Sequence, residues 1–237
     1  LYSLSLVFSS AYLGNPASML GHTFFKLGLK NESVSPLLDY GASFAAFPED
    51  APGVMYFIKG LTGGYSGVFT LDPYYSHLMS YAYTENRDLW EYELDLSSEE
   101  LTLFLAHFWE LYASARIDYY FLDDNCSSLL IEILDVLRPE LDLSSRKDLF
   151  VLPQQTLKIA TLLAKDKKIR RYPSERSLFR QELLAVNERQ RSELKQTLFN
   201  EKISNDPAVL DLALRQLNLQ KSELKREKQT KVRELEE

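Results

Sequence analysis

Apolar residues along the chain follow two periods. Up to Leu96 they come as short alternating or unbroken runs bounded by turn residues, and after Ser97 they recur every three or four positions. Leu4–Phe8 reads as a largely buried strand. Gly21–Gly28, GHTFFKLG, reads as a second, with His22, Phe24 and Lys26 on one face and Thr23, Phe25 and Leu27 on the other. The turn-rich YLGNPASML at Tyr12–Leu20 leads into it. The polar Asn31–Ser35 then closes a hairpin to a third strand, Leu37–Phe47. Val54–Ile58, Val68–Leu71, His77–Thr84 and Leu89–Leu96 are further strand candidates, and Asn86–Asp88 is a turn. Between them GLTGGYSG, Gly60–Gly67, has neither GxGxxG nor a lysine followed by serine or threonine. It therefore reads as a tight turn between strands rather than a phosphate cradle.

The helical half opens with Ser97 and Glu100, spaced as a capping box before Leu101, Phe104, Leu105, Phe108, Leu111 and Tyr112. A second helix follows the polar Asp123-Asp124-Asn125. It carries Leu129, Leu130, Ile133, Leu134 and Leu137 as an apolar stripe and stops at Pro139. Pro153 opens a third. From Pro173 the composition turns to Glu, Lys, Arg and Gln with leucines at helical spacing, such as Leu194 and Leu198. Asn205-Asp206-Pro207 starts another helix, and Lys221–Glu237 reads as a solvated one of mixed charge. These elements predict an α+β domain over residues 1–172, an antiparallel sheet packed on helices, with a helical appendage over 173–237.

Composition changes this picture in a few respects. Hydrophobic residues make up 45% of the 237, enough for a sizeable core, and the 14 tyrosines and 13 phenylalanines lie mostly before the last helices. A net charge of −7 without a basic stripe among the aromatics argues against nucleic acid as partner and against a polybasic membrane anchor. One cysteine excludes an internal disulfide and a cysteine-based zinc site, and three scattered histidines without HExxH make no metal motif. No cofactor is implied. Nothing at the start reads as a signal peptide and no apolar run spans a bilayer, so an excised fragment or mature chain is the expectation.

The lone Cys126 falls in the first turn of the second helix, where free N–H groups and the helix dipole favour a thiolate. The alternative is a small buried hydrophobe. A thiol nucleophile needs a base and the base an orienting partner. His22, a polar residue on a core strand, is the candidate base, with a satisfied core histidine as the alternative. Asp39, across the expected hairpin, is the candidate orienter, or else an ordinary turn carboxylate. Asn125, Tyr12 and Tyr120 are candidates for holding an oxyanion or substrate. Asp123 and Asp124 would oppose a thiolate and read as caps, and as adjacent residues they make no glycosidase pair.

Two stretches carry a resemblance. PASMLGHTFFKLG at 16–28 and YYFLDDNCSSLL at 119–130 resemble the N-terminal periplasmic domain of the bacterial lipoprotein N-acyltransferase family. The intervening GLTGGYSGVFTLDPYYSHLMSYAYTENRDLWEYEL and the later VLPQQTLK are similar to its pattern as well. The resemblance extends over most of residues 1–160. It also relates the chain to circularly permuted papain-like, NlpC/P60-like thiol enzymes, in which the histidine strand precedes the cysteine helix. It implies Cys126 as nucleophile, His22 as base and Asp39 near the third polar position. It further implies an exported, envelope-facing location and association with a membrane surface.

The function this implies is acyl transfer. A phospholipid or other acyl ester would donate its chain to Cys126, and a lipoprotein amine would accept it. Two alternatives remain open at this point: a cysteine peptidase or amidase acting on cell-wall peptides, and a non-catalytic envelope binding or scaffold domain. A charged cleft would favour the first, and a wide separation of Cys126 from His22 the second.

Overall fold

The structure is a computed structural model describing residues 1–12, 20–29, 35–46, 54–146, 151–199 and 203–236. It is an α+β fold built on a seven-stranded antiparallel sheet of order β6-β4-β3-β2-β1-β5-β7. The strands are β1 (Ser3–Ser9), β2 (His22–Gly28), β3 (Tyr40–Ala46), β4 (Tyr65–Pro73), β5 (Leu89–Leu94), β6 (Ile117–Tyr119) and β7 (Ala164–Tyr172). The helices are α1 (Val54–Thr62), α2 (Tyr74–Leu78), which runs on as a π-helical stretch Met79–Thr84, α3 (Ser98–Ser114), α4 (Cys126–Leu137), α5 (Pro153–Leu163), α6 (Glu175–Ala185), α7 (Glu188–Leu198) and α8 (Pro207–Glu236).

All seven residues of β2 are buried, because both faces of the sheet are covered. Its alternation sorts side chains between two cores. Phe25 and Leu27 join Phe104, Phe108, Leu130 and Leu134 under α3 and α4, while Phe24 joins Tyr74, Leu78 and Ala82 under α2 and the π-helical turn. Burying each such phenylalanine or leucine contributes about 1.5–3 kcal/mol, so the two-sided strand is where the site can be held most firmly. Ser97 caps α3 by accepting from Glu100 N while Glu100 accepts from Ser97 N, so the expected capping box forms. Gly21, at φ +105, makes the bend into β2, where a Cβ would sit 2.9 Å from the Phe8 ring.

Two expected strands are helices. Val54–Ile58 lies in α1, whose Tyr56 packs on Tyr65 and Phe121 at 5.6 and 5.2 Å. Gly60 meets the same Phe121 ring at a distance no Cβ would allow, so Gly60–Gly67 holds the end of α1 and the start of β4 rather than a loop. His77–Thr84 lies in α2 and the π-helical stretch, where Tyr74, Leu78 and Ala82 recur every four residues on the buried side. Leu37 and Leu38 form a 3-10 turn before β3. Most of Tyr12–Leu20 and of the Asn31–Ser35 turn lies outside the described residues.

β7 was not legible as a strand because its sequence, AKDKKIRRY, is mostly charged, a composition that suits a sheet edge. Arg170 and Arg171 reach back to Glu91 and Asp88. Burial by itself would raise the Asp88 carboxyl. Hydrogen bonds from Ser174 and Arg171 outweigh it and hold the group below the usual carboxylate range. They also tie the cap of α6 to the sheet. Beyond it, α6, α7 and α8 pack on one another through Phe179, Leu183, Leu194, Val209 and Leu212.

Candidate active site

α4 begins at Cys126 because Asn125 stops the preceding chain in an extended conformation and caps the helix. Asn125 Oδ1 accepts from Ser127 N at 2.8 Å and Ser128 N at 3.3 Å, and Ser128 Oγ accepts from Asn125 N in return. The amide Nδ2 donates to Val151 O at 2.8 Å, which fixes the cap against the approach to α5. Replacing Asn125 by alanine removes the cap and that link. The expected loss is about 1–2 kcal/mol of folding stability, read from denaturant unfolding.

The start of α4 meets the start of β2. The β2–β3 register is confined to Phe25–Leu27 against Ala42–Tyr40, whereas β1 pairs with β2 along its whole length. Next to the end of that short ladder, Thr23 Oγ1 lies 3.8 Å from Cys126 Sγ and 3.2 Å from Ser127 Oγ, and the Thr23 backbone N–H bonds the sulfur as well. His22 and Thr23 are consecutive on β2, so their side chains leave opposite faces of the strand. Thr23 approaches from one face and His22 from the other.

His22 is buried, and its imidazole lies within hydrogen-bonding reach of the Cys126 sulfur. Its Nε2 is 2.9 Å from Ser43 Oγ on β3. The ring stacks with Phe24 and is covered by Tyr81 from the π-helical stretch, each at 6.0 Å between centroids. Arg87 lies over the far side of Tyr81 at 4.9 Å and donates to Ser9 O and Ser10 O. The Tyr119 hydroxyl on β6 is also within reach of the sulfur, while its ring stacks on Phe44 at 5.4 Å.

The electrostatics follow from this packing. Burial pushes the Cys126 thiol up, but the His22 charge and hydrogen bond, helped by Thr23 N–H and the Ser127 hydroxyl, bring it down from an ordinary 9.0 to about 6. Burial, followed by the charge on Cys126, pushes the Tyr119 phenol well above its usual range, so it stays a proton donor. Burial, followed by the nearby His22, pulls His77 down to about 4, so this second imidazole is neutral at ordinary pH. The result is an anion-favouring thiol beside a base, ringed by neutral aromatic side chains.

The structure brings Cys126 and His22 together and places the other expected residues differently. Asp39 is not beside His22. Leu27 faces Tyr40 in the β2–β3 ladder, so Asp39 lies past the opposite end of β2, where it accepts from Leu29 N at 3.0 Å and pairs with Lys26 at 3.3 Å. The hairpin sets this register, and it delivers Ser43 to the imidazole. Asn125 is at the site, but its amide is committed to capping. Tyr120 packs against Gly63, and its neighbour Tyr119 takes the place by the sulfur. Tyr12 is half-buried and makes no hydrogen bond to either member of the pair among the described residues. Asp123 and Asp124 support the turn through their carbonyls, which accept from Asn125 N and Tyr120 N.

Ser43, Tyr119 and Tyr81 were missed by the sequence reading. The only advance signal was for Tyr81, through the four-residue spacing of Tyr74, Leu78 and Ala82. Among the described residues no three His, Cys, Asp or Glu side chains are grouped for a metal ion, and no helix is long and apolar enough to cross a membrane.

In a comparison with protein families, the model described as the Lnb N-terminal periplasmic domain matches residues 1–162 of the 237. No curated protein and no solved structure matches the chain.

Proposed function

The chain belongs to the Lnb N-terminal periplasmic domain family and is thus an exported, periplasmic domain, and from that premise we propose that it is a thiol-dependent acyltransferase. The observation that carries the reading is the contact of the Cys126 thiol, at a helix start, with the His22 imidazole. His22 takes the thiol proton and the thiolate attacks the carbonyl carbon of a phospholipid ester. The carbonyl oxygen becomes an oxyanion. Ser127 N and Ser128 N go to Asn125 Oδ1 and Leu129 N to Asn125 O, while the Cys126 N–H donates to the Tyr119 hydroxyl oxygen and turns to the oxyanion as it forms. The Tyr119 hydroxyl, held protonated, is the second donor.

When the tetrahedral intermediate collapses, the C–O bond to the glycerol breaks and His22 returns the proton to the leaving alkoxide. The acyl chain stays on sulfur as a thioester. An amine, in this reading the N-terminus of a lipoprotein, attacks the thioester and gives up a proton to His22. Cys126 then leaves as thiolate and the product is an amide. The order of a histidine strand before a cysteine helix, with the helix start against the strand, supports reading the domain as a circularly permuted papain-like arrangement. The donor lipid places its work at a membrane surface.

Incubation with an isotope-labelled diacylphospholipid, followed by mass spectrometry of the peptide containing Cys126, tests this. A mass gain of one acyl chain on that peptide, released by an added amine, is the expected result. An unlabelled Cys126 in a chain whose fold is intact would sink the proposal, and acylation by a peptide amide donor instead would replace it with the amidase reading.

A further inference from the structure

We propose that Ser43 is the positioning residue of this pair, accepting the Nε2–H of His22 and thereby presenting a bare Nδ1 to Cys126; the proposal rests on the reading of Cys126 and His22 as nucleophile and base. A neutral imidazole carries one proton on one of two nitrogens, and the partner of one nitrogen decides which it is. The partner of Nε2 is the Ser43 oxygen at 2.9 Å. When that oxygen accepts from Nε2–H, the lone pair that takes the thiol proton is on Nδ1. When the imidazolium forms, Nε2–H donates to the same oxygen, so one geometry serves both protonation states.

Ser43 is suited to this role by where it sits. It is 4% exposed and stands opposite Thr70 in the β3–β4 ladder, so its hydroxyl cannot turn out to water. Of the nearby carboxylates, Asp39 and Glu91 are engaged elsewhere, and Asp72 acts on His77 and Tyr81. Asp39 holds Lys26 and Leu29 N, and Glu91 holds Lys26, Tyr74 and Arg170. The orienter is therefore a neutral group. It fixes the ring's direction without adding a countercharge, and the imidazolium relies on the thiolate for charge compensation. Among the described residues, the titratable groups facing the pair are His77 and Tyr81 from α2 and its π-helical continuation and Tyr119 from β6. His77 is neutral at ordinary pH, and burial, its largest influence, pushes each tyrosine above the usual phenol range. None of them changes charge between pH 5 and 9, so a shift in that window reports on Cys126 and His22.

The test compares wild type, Ser43→Ala and Ser43→Thr. The ionisation midpoint of Cys126 is followed by thiolate ultraviolet absorbance against pH, alongside thermal unfolding and the rate of acyl capture. Loss of one hydrogen bond to the charged ring is expected to raise the midpoint by about half a unit to one unit in Ser43→Ala. Acyl capture slows about 10-fold through kcat while KM holds, because the misdirected ring costs reaction geometry and leaves lipid binding alone. Ser43→Thr, which keeps the hydroxyl, restores the midpoint. A Ser43→Ala chain with lowered melting temperature and unchanged midpoint would overturn the proposal, leaving Ser43 as a structural hydroxyl. A chain that accepts no acyl group from lipid and yet shifts its midpoint on Ser43→Ala loses the acyltransferase reading and keeps this one.

Discussion

Replacing Cys126 by alanine is expected to abolish acyl capture outright while leaving the fold in place. The chain has a single cysteine, so no second thiol can take over. The fold tolerates the change because α4 is started by Asn125 and anchored by Leu129, Leu130, Ile133 and Leu134 rather than by the sulfur. Exchanging a buried thiol for a methyl group costs about 1–2 kcal/mol, a cavity of one heavy atom. Folding measured by circular dichroism should therefore be near wild type when the acyl-adduct peak is gone. Cys126→Ser sharpens the test. It preserves shape and hydrogen bonding, but an alcohol ionises far above the range His22 can reach, and a fall of at least about 1,000-fold is expected. A Cys126→Ala chain that still transferred acyl groups would move the chemistry to another residue. Combining Cys126→Ala with His22→Ala should cost no more than Cys126→Ala alone, since the two act as a unit.

What the residues disclosed in advance was local. The capping box at Ser97 and Glu100, the cap and stripe of α4 and the alternation of β2 depend on neighbours three or four positions apart, so periodicity reveals them. That placed the cysteine at a helix start and the histidine on a core strand. It could not reveal the third partner. Whether Asp39 or Ser43 meets His22 depends on how β3 slides against β2, and a hairpin register is a tertiary property. The strand expected at Val54–Ile58 failed for a related reason. Apolar runs of that length fit helix and strand alike, and the choice is made by the ring of Phe121, which takes Gly60 and Tyr56 from a helical turn. Tyr119 was out of reach because a three-residue strand has no pattern of its own.

His22→Ala carries the sharpest signature because its effect changes sign with pH. In the wild type the thiol titrates at about 6, so half of it is thiolate at that pH. Without the imidazole, only the Thr23 N–H and the Ser127 hydroxyl oppose burial, the largest influence, and the thiol rises back toward its ordinary 9.0. At pH 6 the thiolate fraction then falls by about 500-fold. The higher-pKa thiolate is intrinsically the better nucleophile, by about 20-fold over three units at a Brønsted slope near 0.45. The net expectation is alkylation by iodoacetamide about 20-fold slower than wild type at pH 6, equal near pH 7.6, and faster above it. Room opened by losing the ring would scale the variant's whole curve upward and leave its midpoint where it is. Acyl capture follows a different rule, because it also needs His22 to return a proton to the leaving alkoxide. It should fall at every pH, by about 100-fold or more at the wild-type optimum. Curves that shift together, or a midpoint that stays near 6 without His22, would mean that the sulfur owes its acidity to the Thr23 N–H, the Ser127 hydroxyl and the helix start rather than to the imidazole.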